Sequence, residues 1–345
     1  VVAAGLVTAA GLEVGGVTSG ASVLTTSQIA AQVDPGLVDV VTTLGYQQAQ
    51  AAGTGLVLTP SGEVLTNNHV IRGATSIRVI DIGNGRTYQA SVTGYDQSHD
   101  IAVLQLHGAS GLTTAPLGNS ASAAVGQKVV ALGNAGGKGG TPSVAVGKIA
   151  SLGATITASD EGSGVSEQLT GLIHHNAPIQ PGDSGGPLAN TAGQVIGINT
   201  AGSQPQGMQL QAAQTRTQGF AIPINEALSI ARQIEAGNSS ATVHTGATGF
   251  VGVGIMSAAD AAANGITASS GAVVSSVVPG SPAEGAGLAA GDVITSAGGQ
   301  PVSSPSGLRS ALEQHHPGDS VTIGWTDQAG QAQSASVVLA NGPAA

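Results

Sequence analysis

Cysteine is absent from this 345-residue chain, which excludes a disulfide framework and any thiolate metal site. Aromatic residues make up only 2%, so the core must be built from Val, Ile, Leu and Ala. Charged residues are 8%, where ~25% is usual. Nine basic residues stand against 19 acidic ones, for a net charge of −10. Nucleic-acid binding needs a clustered basic stripe, and this balance argues against it. No uninterrupted apolar run approaches the ~18 residues of a membrane span. Low charge does not mean disorder here. Disorder needs low hydrophobicity, whereas hydrophobic residues are 41% and the mean hydropathy is +0.23. The 54 glycines follow no triplet period, which excludes collagen. The lack of a longer repeat weighs against a repetitive surface protein.

The length suits two domains. Residues 1–27 form a small and apolar N-terminal segment. Val1 to Leu12 are apolar or small and Glu13 ends the run. Twelve residues match the apolar core of a secretory signal better than a span. Two readings stay open: the remnant of a signal or membrane tether, or an Ala/Gly-rich tail. From about Gln28 to Thr217 the text reads as short strands between turns. Gly53 to Thr59 and Glu63 to Thr66 flank Pro60-Ser-Gly62, a hairpin signal. Further runs are Ser76–Ile82, Tyr88–Tyr95, Ile101–Leu106, Lys128–Leu132, Val144–Leu152, Leu169–Ile173 and Gln194–Thr200. Many short strands with Gly-rich turns predict a β-barrel or sandwich. Ile224, Ala227, Leu228, Ala231 and Ile234 recur at helical spacing between Pro223 and Gly237, which predicts a helix closing a domain over 28–236. Residues 237–248 are small and polar and read as a linker. Residues 249–345 read as a small α+β domain.

The chemistry concentrates in Gly182-Asp-Ser-Gly-Gly-Pro187. A nucleophilic serine needs an exposed hydroxyl and backbone N–H groups aimed at a developing oxyanion. Glycines on both sides permit the tight turn that provides them. Such a string by itself is also compatible with a plain Gly-rich turn. A serine hydroxyl is weak without a base, and there are eight histidines. The neighbours His174/His175 and His315/His316 do not share a face of a helix or strand, so no metal site is expected. His69 ends the strand-like Leu65-Thr-Asn-Asn-His-Val70. Asp100 stands where the apolar Ile101–Leu104 run begins, and a carboxylate entering a buried strand needs a partner. Asp96 competes for that role, but its polar neighbours predict exposure. The order His69, Asp100, Ser184 is that of chymotrypsin and not that of the α/β-hydrolases.

These residues resemble those of HtrA (DegP-type) serine proteases with one C-terminal PDZ domain, most closely the secreted PepA-type members of mycobacteria and other actinobacteria. The matching strings include Gly53-Thr-Gly55, Leu65–Val70, His99–Leu104, Leu132-Gly-Asn134, Gly182–Pro187, Val195–Thr200 and Gly219–Pro223. The resemblance implies a mainly β protein: a chymotrypsin-like double β-barrel of six strands each, then an α+β PDZ domain. It implies His69 as general base, Asp100 as its orienter and Ser184 as nucleophile, with the oxyanion held in the Gly182, Asp183 and Ser184 stretch by the backbone N–H groups of Gly182 and Ser184. It further implies a pocket lined by Ile179, Asn199, Thr200 and Ala201. That set contains no acidic residue, so cleavage after small or medium aliphatic residues is expected.

Gly249-Phe-Val-Gly-Val253 resembles the loop that holds a peptide C-terminal carboxylate, with Phe250, Val251, Gly252 and Val253 as binding residues and the next strand accepting the peptide by β-addition. The implied partners are polypeptide substrates and peptide C-termini, with no cofactor, at an extracytoplasmic location. Two departures stand out. Asp183 replaces the Asn common before the family serine, and His175-Asn-Ala-Pro178 replaces Thr-Asp-Ala-Ala. In trypsin-like enzymes that aspartate pairs with a newly cut N-terminus, for which no processing motif is present. Tyr46 is the only aromatic residue before Gly53. Aromatic contacts in that region help build family trimers, so a stable trimer is not expected and the oligomeric state stays open. The rival reading is a non-catalytic, peptide-binding or chaperone-like protein on the same fold.

Overall fold

A computed structural model describes residues 23–134, 140–159, 166–200, 218–256, 258–263, 265–266 and 270–344. The segment read as a signal or tether falls mostly before residue 23, outside the described residues, as does Ala201. Among the described residues no helix is long and apolar enough to cross a membrane.

The chain enters through helix α1 (Thr26–Val33). Thr25 caps it and exchanges hydrogen bonds with Gln28 in a capping box. Six antiparallel strands follow: β1 (Leu37–Leu44), β2 (Ala49–Val57), β3 (Glu63–Thr66), β4 (Ser76–Asp81), β5 (Thr87–Asp96) and β6 (Ile101–Leu106). The order β5-β4-β1-β2-β3-β6 is closed by pairing of β5 with β6. Six more strands form a second closed barrel: β7 (Lys128–Gly133), β8 (Ser143–Ser159), β9 (Ser166–His175), β10 (Pro187–Asn190), β11 (Val195–Thr200) and β12 (Gly219–Pro223). The expected hairpin is β2–β3, in register Leu56 to Leu65. The short helix α2 (Asn68–Ile71) follows β3 directly.

Both barrels are filled by aliphatic side chains, as the scarcity of aromatics requires. Val38, Val40, Val57, Val64 and Leu104 fill the first around buried Tyr95. Val129, Ile149, Ile173, Leu188 and Ile196 fill the second. The seam between them is also apolar, with Leu56, Leu65 and Ile101 from one side and Leu132, Ile198 and Ile222 from the other. Helix α3 (Ile224–Glu235) seals this seam with Ile224, Ala227, Ile230, Ala231 and Ile234, all buried. Each large aliphatic residue so buried contributes about 1.5–3 kcal/mol.

Residues 237–248, read as a linker, are partly structured. Val243–Thr245 form β13, which pairs with the end of β5, Val243 opposite Asp96. Val243 and His244 are buried, and the His244 ring stacks on Tyr95. A three-residue strand with one large apolar residue is too short to show a period.

The C-terminal domain contains β14 (Gly249–Phe250), β15 (Val253–Ile255), β16 (Ala272–Val277) and β17 (Val293–Ala297). Two longer strands follow, Ser320–Thr326 and Ala332–Val338, together with a helix over Pro305–Leu312. Its own core contains Val251, Val274, Ile294, Leu308, Ile323 and the single tryptophan, Trp325. The sheet begins with β15, whose only neighbour among the described residues is β16. The two domains touch directly. Phe250 stacks on Tyr46, Gln97 donates to the Glu313 carboxylate, and the His316 ring stacks on His244.

Candidate active site

Helix α2 begins two residues after β3 ends, and this places His69 at the rim of the first barrel with its side chain about one-third exposed. Asp100 occupies the turn before β6 in a left-handed conformation, φ 54°, a region that short polar residues tolerate better than others. The Asp100 carboxylate is buried. Its Oδ1 accepts the His69 backbone N–H at 2.9 Å and its Oδ2 lies 2.8 Å from His69 Nδ1. Thr200 Oγ1 donates to the same Oδ2 at 3.0 Å. The Asp100 carbonyl accepts from the Asn67 amide. Burial by itself would raise the Asp100 pKa. The charge of His69 and the hydrogen bonds from His69 and Thr200 outweigh it and hold the carboxyl below its ordinary value. An ionised carboxylate at Nδ1 selects the tautomer with its proton there and leaves Nε2 as a base.

Ser184 lies on the loop between β9 and β10. Gln180-Pro-Gly-Asp183 is a tight turn with Pro181 in its second position, Gly182 at φ 97°, and the Asp183 N–H donated to the Gln180 carbonyl. Proline followed by a residue at positive φ is the pattern of a type II turn. Gly185 (φ 84°) has no room for a side chain, because a Cβ would run into the Thr54 carbonyl oxygen. The loop is fastened to both barrels. Thr54 on β2 donates its N–H to the Ser184 carbonyl and its hydroxyl to the Gly182 carbonyl, both at 2.8 Å. The Gly185 N–H goes to the Asn199 carbonyl on β11. A Cβ at neighbouring Gly53 would meet both Val70, next to His69, and the Ser184 carbonyl. His69 and Asp100 are thus joined directly, and the loop carrying Ser184, 115 residues after His69, is held against β2 and β11.

One expectation needs correction, and others gain detail. The Asp183 N–H closes the turn onto the Gln180 carbonyl, in keeping with the expectation that only the N–H groups of Gly182 and Ser184 serve an oxyanion. Asp96 is buried and not exposed: its carboxylate accepts from Ser98 and lies 2.8 Å from His99 Nδ1, which engages it with His99 and not His69. Two of the four expected pocket residues spend their side chains elsewhere. Thr200 bonds Asp100, and buried Asn199 donates to the Pro187 carbonyl. Ile179 is buried beside the loop. Sequence reading missed Thr54 and Ser143. The Ser143 hydroxyl donates to Asp183 Oδ1 at 2.9 Å, and the Gln180 N–H reaches Oδ2 at 2.8 Å. It also missed the character of His175. That ring is fully buried against Gly219, and burial pushes its pKa down to about 4.

In the C-terminal domain, Phe250 is in β14, Val251 is in the core, and Gly252 turns at φ 92° into β15. The carbonyls of Val251 and Gly252 are tied to the N–H groups of Ala283 and Val278.

Comparison with known proteins defines the class first. Residues 53–198 match the trypsin-like peptidase domain and residues 249–337 the PDZ domain. Serine protease PepD of Mycobacterium tuberculosis is 32% identical over 322 residues, 90% of this chain and 65% of that protein. Periplasmic pH-dependent serine endoprotease DegQ of Escherichia coli is 38% identical over 281 residues, 81% of this chain and 57% of that protein. A solved structure of the HtrA-type protease AlgW with a tripeptide is similar over 92% of this chain and 97% of that one, at 30% identity and a TM-score of 0.50. The chain belongs to the HtrA-type serine protease family. It spans about half to two-thirds of the length of the curated relatives it matches.

Proposed function

We propose that this chain is a serine endopeptidase acting on exposed segments of unfolded polypeptides outside the cytoplasm. The observation that carries the proposal is the buried Asp100 carboxylate, bonded twice to His69 and once to Thr200. His69 Nε2 takes the Ser184 hydroxyl proton as Oγ attacks the peptide carbonyl. The carbonyl π electrons move to oxygen, and this oxyanion rests on the N–H groups of Gly182 and Ser184. His69, now imidazolium beside the Asp100 charge, returns the proton to the leaving amine, and water hydrolyses the acyl-enzyme by the same relay. Losing one oxyanion donor typically costs about 10²–10³ in rate.

The pocket beside Ile179 receives small or medium aliphatic side chains. The loop Phe250–Val253 holds a peptide C-terminus, and the peptide adds as a strand beside β15. The names of the periplasmic relatives support the extracytoplasmic location, and the mycobacterial relative supports the actinobacterial affinity. The test is hydrolysis of a peptide library together with labelling by a fluorophosphonate. The expected result is cleavage after Ala or Val and labelling of Ser184, with Ser184→Ala lowering kcat by about 10⁴–10⁶. Hydrolysis that persists in Ser184→Ala overturns the mechanism, and an unlabelled, inert wild-type chain favours the non-catalytic reading.

A further inference from the structure

Asp183 precedes Ser184, yet its carboxylate does not face the cleft. The residue is 3% exposed. Taking a carboxylate out of water costs several kcal/mol unless hydrogen bonds replace the lost hydration. Both oxygens are engaged here. Oδ2 accepts the Gln180 N–H at 2.8 Å and Oδ1 accepts the Ser143 hydroxyl at 2.9 Å. The back of the side chain rests on Gly133, where a Cβ would collide with Asp183. The Asp183 N–H closes the turn onto the Gln180 carbonyl. One residue thus fastens the turn at both ends of Gln180, and the second barrel supplies the external anchor through the first residue of β8.

We infer that Ser143 is a positioning residue for the oxyanion site. Its hydroxyl holds the Asp183 carboxylate, the carboxylate holds the 180–183 turn, and the turn aims the N–H groups of Gly182 and Ser184. The inference rests on the serine-peptidase reading above. Thr54 supplies the opposite anchor, since its hydroxyl holds the Gly182 carbonyl. Gly182 is therefore fixed from the β2 side by one hydroxyl and, through Asp183, from the β8 side by another. Without the Ser143 hydroxyl, Oδ1 is left buried and unpaired, a cost that rotation of the carboxylate toward water relieves. That rotation carries the turn with it. The oxyanion contacts act in the transition state far more than in substrate binding, so the loss falls on kcat.

The test uses the full chain and an aliphatic peptide substrate. Ser143→Ala is expected to lower kcat about tenfold with KM within about twofold, since loosening a donor costs less than deleting one. Affinity for a peptide aldehyde, which forms the tetrahedral oxyanion on Ser184, falls by the same factor, while affinity for the product peptide is unchanged. Ser143→Thr, which keeps the hydroxyl, restores most of the rate. Asp183→Ala is expected to lower kcat at least as far, and adding Ser143→Ala to it costs less than about twofold more, because the two act as one unit. Ser143 is only half-buried, and thermal melts check that each variant is folded. If Ser143→Ala melts early, the aldehyde-to-product affinity ratio of Ser143→Thr against wild type still decides, and a ratio collapsed in Ser143→Thr overturns the inference. A Ser143→Ala enzyme with wild-type kcat, or one equally impaired with and without Asp183, overturns it while peptidase activity stands. A wild-type chain that neither hydrolyses peptide nor binds the aldehyde overturns the peptidase reading itself.

Discussion

Thr200→Val keeps the shape of a buried side chain and removes one hydrogen-bond donor from Asp100. Among the described residues, the carboxylate then retains its two bonds to His69. A net hydrogen bond to a charged group is worth about 1.5–3 kcal/mol. The ionised Asp100 is needed both in the resting enzyme and beside the imidazolium of the transition state, so only part of this loss reaches the rate. If about 1–2 kcal/mol does, kcat falls roughly 5–30-fold. KM changes little, because in this geometry the Thr200 hydroxyl serves Asp100 and not the substrate. The factor is therefore the same for substrates presenting Ala, Val or Leu at the cleaved bond. Steady-state kinetics on three such peptides measure it. An altered preference among the three with kcat preserved would refute the reasoning, since the Thr200 side chain would then be acting on substrate as a pocket wall.

Two further outcomes follow from buried groups elsewhere. His175 has a pKa of about 4 against an ordinary 6.5, so the unfolded chain takes up a proton below ~6.5 that the folded chain resists until about 4. Stability falls by up to about 3 kcal/mol as pH drops through that window and levels off below it. Urea titrations of wild type and His175→Asn between pH 4 and 7 check this, and an equally steep fall in the variant sinks it. Gly252→Ala forces a Cβ onto Ser281 at a positive φ. It is expected to weaken binding of a fluorescent C-terminal peptide at least tenfold by anisotropy, and undiminished binding would remove this loop from the peptide site.

How much was legible in the sequence depended on how local each signal is. The β6 run Ile101–Leu106 and helix α3 are readable because periodicity and breakers lie within a dozen residues. The candidate triad is readable because each member sits in a short string and the order of the three carries information. Strand β1 has no such punctuation: Leu37–Leu44 is apolar or Thr except at Asp39, and it is buried over its first six residues, Asp39 included, so alternation gives no sign of it. Thr200 and Asn199 lie in the expected stretch, but the direction of a side chain on a fully buried strand follows from packing that neighbours do not announce. Ser143 is ordinary in its own segment, since its partner Asp183 is 40 residues away. Asp96 was misread because polar neighbours imply exposure, whereas its three bonds, one to Ser98 and two to His99, let it be buried beneath them.

The aromatic scarcity gives the first barrel and the C-terminal domain separate optical signatures. The single tryptophan, Trp325, is in the core of the C-terminal domain. The three tyrosines, Tyr46, Tyr88 and Tyr95, all fall within the first barrel segment, and the second barrel has neither chromophore. Tryptophan emission during denaturation thus monitors melting of the PDZ domain alone. A tryptophan placed in β10 or β11 would be needed before fluorescence could follow the barrel that carries Ser184.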